Sequence, residues 1–269
     1  MKRIWLWTLL LLAQQAFGAT LPRPDHIVIV IEENRSFSQI IGNSDAPYIN
    51  ELARRGALFT QSYGVTHPSQ PNYLALFSGT TRSITSDACP LDLSGDNLAG
   101  SLLAKGFSFA SYAESMPEAA YEGCIYGAYR RKHNPVANWK ELAAHNQPFS
   151  AFPADYRQLP AVSLVIPDQL NDMHDGSIEQ GDAWLKEKIE PYARWALTHN
   201  SLLIVTWDED DGSELNRIAT VFVGAVVKHG RYAQRISHYN LLRTVEEMYE
   251  LPHLGESGAV HAIKGVWRK

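Results

Sequence analysis

The sequence predicts an α/β fold, a doubly wound and mostly parallel sheet flanked by helices. Three observations predict it. The run His26-Ile27-Val28-Ile29-Val30-Ile31 is short, continuous and β-branched, as expected of a strand buried on both faces. A second run, Ser201-Leu202-Leu203-Ile204-Val205-Thr206-Trp207, repeats the pattern, and both runs end in carboxylates. Between and after them strand-like and helix-like stretches alternate, the order that lays helices on both faces of a parallel sheet.

The chain starts with Met1, Lys2 and Arg3, an apolar run from Ile4 to Ala13, and the small-residue stretch Ala16-Phe17-Gly18-Ala19. This is the pattern of a secretory signal peptide over residues 1–18, since an apolar run of about ten residues is half what a bilayer crossing needs. Residues 19–269 are then expected as one domain, secreted or periplasmic after cleavage, with no stable membrane anchor. Taking Lys2 and Arg3 from 24 basic residues leaves 22 against 29 acidic ones, a formal charge of −7. An acidic protein is a poor general binder of nucleic acid, so no nucleic-acid partner is expected.

The first strand, residues 26–31, delivers Glu32, Glu33 and Asn34 to its carboxyl end. Helices follow over residues 48–55 and 97–105, and strands over 107–112 and 162–166. A long helix is expected over 178–197. The strand Ser201–Trp207 then ends in Asp208, Glu209, Asp210 and Asp211, and a last strand (219–227) precedes a helix from His238 to about residue 249. In such sheets ligands bind outside the carboxyl ends of the strands, where both acidic clusters fall. Residues 89–155 are less periodic and rich in aromatic residues, Pro, Asn and Gly, and are expected to form a small insertion or cap. Cys89 and Cys124, the two cysteines of the chain, are expected to pin it as a disulfide in an oxidising compartment.

Several acids at the ends of different strands repel one another unless a cation is shared, and Glu33, Asn34, Asp208 and Glu209 offer hard oxygen ligands. Solvated loop acids are the plainer alternative. In Thr66-His67-Pro68-Ser69-Gln70-Pro71-Asn72-Tyr73, Ser69 reads as a helix N-cap with Pro71 in the first turn. A hydroxyl there faces free N–H groups and the positive end of a helix, which suits a phosphoryl group, although a Ser can equally well only cap a helix.

These residues carry a resemblance. Glu33-Asn34-Arg35-Ser36-Phe37 matches the ENRSF motif of the bacterial and plant phosphoesterase family that contains acid phosphatases and non-specific phospholipases C. Ser69-Gln70-Pro71-Asn72-Tyr73 resembles the family's TxPNR motif, with Ser in place of the nucleophilic Thr and Tyr in place of Arg. Asp208-Glu209-Asp210-Asp211-Gly212 is similar to its DExxG motif, whose first two acids are metal ligands; the Asp-His that usually follows is not found. His238 resembles the downstream active-site histidine. Met173-His174-Asp175-Gly176-Ser177 resembles a segment with a phosphate-facing histidine, and Lys132-His133-Asn134-Pro135 a segment of the small bacterial members. The motifs arrive in family order.

The resemblance implies an alkaline-phosphatase-like fold and a secreted, metal-dependent acid phosphatase that hydrolyses small phosphomonoesters through a phosphoserine at Ser69. It implies catalytic roles for Ser69, His174 and His238, and substrate contacts from Asn72, His133 and Asp175. One divalent cation (calcium, magnesium, manganese or zinc) is implied on Glu33, Asn34, Asp208 and Glu209. A phospholipase C acting on phosphodiester headgroups is the first alternative, and a non-catalytic phosphate or metal binding protein the second. A two-zinc site would need His pairs beyond this ligand set.

Overall fold

A computed structural model describes residues 21–268; the signal peptide expected at 1–18 lies outside them. In chain order the strands are β1 (His26–Glu32), β2 (Ala57–Tyr63), β3 (Phe109–Ala113), β4 (Ile125–Tyr126), β5 (Tyr129–Arg130), β6 (Asn146–Pro148), β7 (Val162–Ile166), β8 (Ser201–Trp207), β9 (Arg217–Val223) and β10 (Gly230–Ser237). The α-helices are α1 (Phe37–Ile40), α2 (Pro47–Arg55), α3 (Ser69–Ser78), α4 (Leu98–Ala104), α5 (Ile178–Lys188), α6 (Glu190–Ala196) and α7 (His238–Met248). Eight strands form one sheet in the order β10-β2-β9-β8-β1-β7-β3-β6. β1 pairs in parallel with both β7 and β8, while β9 runs antiparallel to β8 and β2. The sheet is therefore mostly parallel, as the β-branched runs predict.

Alternation along β1 builds the two layers. Ile27, Ile29 and Ile31 face a core shared with Leu74 and Phe77 of α3, Leu98 of α4 and Leu241 of α7. Val28 and Val30 face the other side, against Ile49 of α2, Leu185 of α5 and Tyr192 of α6. Successive strand side chains point to opposite faces, so a run apolar at every position requires helices on both sides. Truncating any of these isoleucines to Ala would cost about 2–5 kcal/mol, because so packed an interior cannot collapse around the void.

Several elements differ from the sequence expectation. The helix expected over 178–197 is two helices, broken at Ile189 with Pro191 in the first turn of α6; a proline removes a helix donor and favours a new start. The last expected strand begins at Arg217 and ends at Val223. β2 and β10 were not anticipated. β10 is an edge strand with alternating exposure, and its sequence GRYAQRIS has little apolar content.

Residues 89–155 are less separate than an added cap: α4, β3 and β6 belong to the main body, the short 3₁₀ turns between β3 and β6 add Val136, Trp139 and Leu142 to the core beside α3, and the β4–β5 hairpin stands outside the main sheet. The Cys89–Cys124 disulfide is present, with Cα atoms 5.9 Å apart, and ties the stretch leading into α4 to that hairpin.

Candidate active site

β1 and β8 lie side by side with Glu32 level with Trp207, so the residues that follow, Glu33–Asn34 and Asp208–Glu209, emerge together. Main-chain bonds fix both turns: Asp208 N–H donates to Glu32 O at 2.9 Å and Glu33 N–H to Asp172 O at 2.8 Å. Asn34 takes a left-handed backbone (φ 50°), and its N–H donates to Asp208 Oδ1 at 3.3 Å. Asn takes the left-handed region several-fold more readily than most non-glycine residues.

Beyond β2 the chain turns through residues 64–68 into α3. Pro68 holds the N-cap position, one residue earlier than the sequence suggests, and Ser69 is the first helical residue. Ser69 is buried, and its Oγ donates to Glu33 Oε2 at 2.9 Å with Glu209 Oε1 at 3.3 Å. The hydroxyl has one proton, so the shorter contact is the donor bond and the longer one is an alternative orientation.

Two neighbours on α3 complete this corner. Tyr73, which stands where the family motif has Arg, donates its hydroxyl to Glu33 Oε1 at 2.6 Å. Asn72 accepts from Val65 N and Thr66 N and donates to Thr66 O, so it braces the loop ahead of Ser69; Glu209 Oε2 lies 3.2 Å from its Nδ2. His67, quoted within the motif but not singled out from sequence, sits with Nδ1 2.9 Å from Glu209 Oε2 and Nε2 3.3 Å from Asp210 Oδ1.

The segment between β3 and β6 and the turn after β7 supply the opposite wall. His133 is buried and stacks on Tyr73, ring centroids 5.4 Å apart. Its Nε2 is 3.2 Å from Glu33 Oε1 and its Nδ1 3.2 Å from Asp172 Oδ2. Neither approach has hydrogen-bond geometry, so Nε2 and Asp172 Oδ2 remain unspent. His174 is held by Asp175, whose Oδ1 is 2.7 Å from Nδ1, which leaves Nε2 facing Lys132 Nζ at 3.4 Å. Lys132 pairs in turn with Asp87 at 2.8 Å. Asp172 lies one residue before the quoted Met173–Ser177 motif, and its partner His133 is 39 positions away in the chain; no local spacing reveals that pairing.

His238 is buried at the start of α7 and reaches the site through main chain: its Nε2 is 2.6 Å from Asp208 O. Its Nδ1 has no partner in the described structure.

The electrostatics of this corner follow from burial. Burial pushes the carboxyls of Glu33 and Glu209 up to about 7 and that of Asp172 to about 8; Tyr73 and Ser69 oppose the first two rises by hydrogen bonding. Asp208 is held well above the usual carboxylate range by burial and then by the charges of Glu33 and Glu209. Burial also presses His133 and His238 down to about 4. Buried acids this close do not all ionise unless a positive charge is brought among them.

The donor set fits such a charge. Asn34 Oδ1 and Asp208 Oδ2 are buried and accept no hydrogen bond, Asn34 N–H is bonded to the other oxygen of Asp208, and the Ser69 hydroxyl lies between the carboxylates of Glu33 and Glu209. Hard, unpaired oxygens of this kind suit a divalent cation. Among the described residues, one group of His and acidic side chains brings its ligand atoms within 4.8 Å of one another: Glu33, His133 and His174. The structure thus contains a candidate metal site that shares Glu33 with the oxygen set and includes the His pair that sequence reading did not assemble. A cleft of about 400 Å³ opens over this region, lined by Asn34, Arg35, His67, His174, Glu209 and Asp210 among others.

Comparison with known proteins agrees with this geometry. Residues 43–252 match the model of the Phosphoesterase family. A phosphatidylinositol-3-phosphatase of Mycobacterium tuberculosis is 50% identical over 254 residues, covering 93% of this chain and 85% of that protein. An acid phosphatase of Aspergillus fumigatus is 30% identical over 76% of this chain, but the chain spans only 51% of that longer protein. Among solved structures, a protein in the alkaline phosphatase superfamily from Vibrio parahaemolyticus superposes with a TM-score of 0.59 at 13% identity, over 85% of this chain and 67% of that one. The phosphonate monoester hydrolase of Agrobacterium radiobacter gives 0.56 at 13% identity, over 91% and 79%. At such identities the likeness establishes the alkaline-phosphatase-like fold, while the family match covers most of the chain. This chain belongs to the Phosphoesterase family and is a phosphoric ester hydrolase.

Proposed function

We propose that the chain is an exported, metal-dependent phosphatase that hydrolyses phosphomonoesters through a phosphoserine formed at Ser69. The observation that carries the reading is the buried Ser69 hydroxyl, at the first turn of α3, donating to Glu33 and standing 3.3 Å from Glu209, which lines the open cleft. A divalent cation held by Glu33, Asn34, Asp208 and Glu209 would supply the positive charge that lets the serine oxygen exist as a nucleophile near neutral pH. The oxygen set is preferred over the histidine-containing group because the Lys132 ammonium already stands 3.4 Å from His174 Nε2.

The remaining steps belong to the chain's own residues. Glu33 Oε2 accepts the Ser69 hydrogen, and Tyr73 holds the other oxygen of that carboxylate. The positive end of α3, Lys132 and His174 face the phosphoryl group and offset charge that grows in the transition state. Asp175 on Nδ1 fixes the His174 ring, whose Nε2 accepts from the Lys132 ammonium and keeps that cation turned toward the phosphoryl group, while the departing alcohol takes its proton from water in the cleft. Water then releases phosphate from Ser69, and the two in-line displacements give net retention at phosphorus. His238 acts by holding the Asp208 main chain, and Asn72 by holding the loop ahead of Ser69.

Two of the relatives reported above are named phosphatases, which favours a phosphatase over a phospholipase C. The 50% identity to a phosphatidylinositol-3-phosphatase extends the substrate range to a monoester on a lipid headgroup. The test is hydrolysis of p-nitrophenyl phosphate and p-nitrophenyl phosphorylcholine from acid to alkaline pH, before and after chelation, with Ser69→Ala as control. Monoester turnover abolished by chelation and by Ser69→Ala is expected. Preference for the choline ester would transfer the assignment to phospholipase C, and no turnover with any divalent cation would revive a binding protein.

A further inference from the structure

Five large hydrophobic side chains are strongly exposed among the described residues, and four of them stand on segments that also supply the active site. Ile125 (62% exposed) and Tyr126 (54%) form the tip side of the hairpin that leads into Lys132 and His133. Leu170 (46%) precedes Asp172 and His174, and Leu215 (93%) closes the loop that begins at Asp208. These segments join around the cleft. Ala128 O accepts from Gln169 N at 3.1 Å, Arg35 donates to Gly176 O at 3.3 Å, and Gln39 donates to Asp211 Oδ2 at 2.9 Å.

Leu215 is the most telling of the four. Its backbone is left-handed (φ 55°), as is that of Asn216 (φ 64°). A bulky residue adopts that conformation at a steric cost, and here no burial repays it. The tip is nevertheless firmly built: the buried Asp210 carboxylate accepts from Gly212 N, Glu214 N and Asn216 N at 2.7, 2.7 and 3.0 Å. The braced loop thus holds a leucine outward, on the same loop whose residues 209–212 line the polar cleft and at the same carboxyl end of the sheet as the other three.

We propose that Ile125, Tyr126, Leu170 and Leu215 form a docking rim that seats the cleft reversibly on a lipid bilayer, so that a phosphorylated headgroup enters from the membrane surface. The inference rests on the phosphomonoesterase reading above. A bilayer is the occupant that the placement selects, because a protein seated on a ring around the cleft would close the path to Ser69, whereas a surface carrying the substrate delivers it. Apolar side chains on loops reach the headgroup boundary without any membrane-crossing helix, and none of the described helices is long and apolar enough to cross.

The test compares the mature protein with a variant carrying Ile125→Ser, Tyr126→Ser, Leu170→Ser and Leu215→Asn. All four sites are exposed, and Asn accepts the left-handed backbone at position 215. Sedimentation with phosphatidylcholine vesicles is measured with and without phosphatidylinositol 3-phosphate, together with kcat/KM for that lipid in vesicles and for soluble p-nitrophenyl phosphate. The expected result is wild-type binding to vesicles of either composition and a loss of about tenfold or more in the variant's kcat/KM on the vesicle-borne lipid, with the soluble ester changed less than about twofold. Absence of wild-type binding to vesicles, unchanged variant activity on the vesicle-borne lipid, or equal losses on both substrates would overturn the rim. Failure of the wild type to hydrolyse p-nitrophenyl phosphate would instead sink the phosphomonoesterase reading, while the sedimentation arm still decides the docking.

Discussion

Tyr73→Phe isolates one atom of the site. The hydroxyl donates to Glu33 Oε1 at 2.6 Å, and burial and nearby carboxylates push its own ionisation far up, so it remains a donor throughout the working pH range. The Phe ring keeps the stack on His133, so packing is conserved and the change is confined to one charge-assisted bond. Such a bond contributes about 1.5–3 kcal/mol, more than a neutral pair, because it favours the ionised form of a buried carboxylate. Ionised Glu33 is what a cation needs, so the loss should appear as divalent-cation affinity weakened by roughly ten- to a hundredfold. Calorimetric titration of chelator-treated protein reads it directly. At saturating cation, kcat for a phosphomonoester should recover most of its value. Unchanged cation affinity in Tyr73→Phe would refute the assignment of Glu33 as a ligand.

The same electrostatics set a pH dependence for the metal-free protein. Glu33, Glu209 and Asp172 have raised folded values (about 7, 7 and 8), so their contribution to stability is complete below the ordinary carboxylate range and is lost as pH rises through those values. His133 and His238, lowered to about 4, act in the opposite sense, but only below about 6.5, where an unfolded histidine starts to take up protons. Between pH 6.5 and 8 the carboxyls therefore dominate: the Tm of chelated protein should fall across that window, and added divalent cation should raise Tm more at pH 8 than at pH 6. A flat or rising Tm without metal would contradict it. Cys89→Ser with Cys124→Ser opens a loop closed across a separation of 35 residues and should cost about 3–4 kcal/mol in denaturant unfolding.

What could be read from sequence was what is written in local pattern. The apolar runs of β1, β7 and β8 announce themselves because a strand covered on both faces has no polar alternation, and each run meets its acids at the end where the sheet binds ligands. β2 and β10 are illegible for the converse reason: ALFTQSY, next to the edge, and GRYAQRIS, at the edge, mix polar residues into the strand, and their pairing across long separations supplies what composition lacks. Glu33, Ser69 and Glu209 stood out by motif and do meet in space. Tyr73, Asp172 and His67 did not stand out, because each matters only through a partner brought near by folding: Glu33, His133 and Glu209 in turn. His238 and Asn72 were recognisable as site residues, but only the folded chain shows that both hold main chain.

The central claim is covalent chemistry at Ser69, and acid quenching during steady turnover of a phosphomonoester followed by peptide mass spectrometry tests it most directly. A single phosphate is expected on the peptide that carries Ser69, absent from Ser69→Ala and from chelated enzyme. Sustained turnover by Ser69→Ala, or a phosphate trapped on a histidine with Ser69 unmodified, would contradict it.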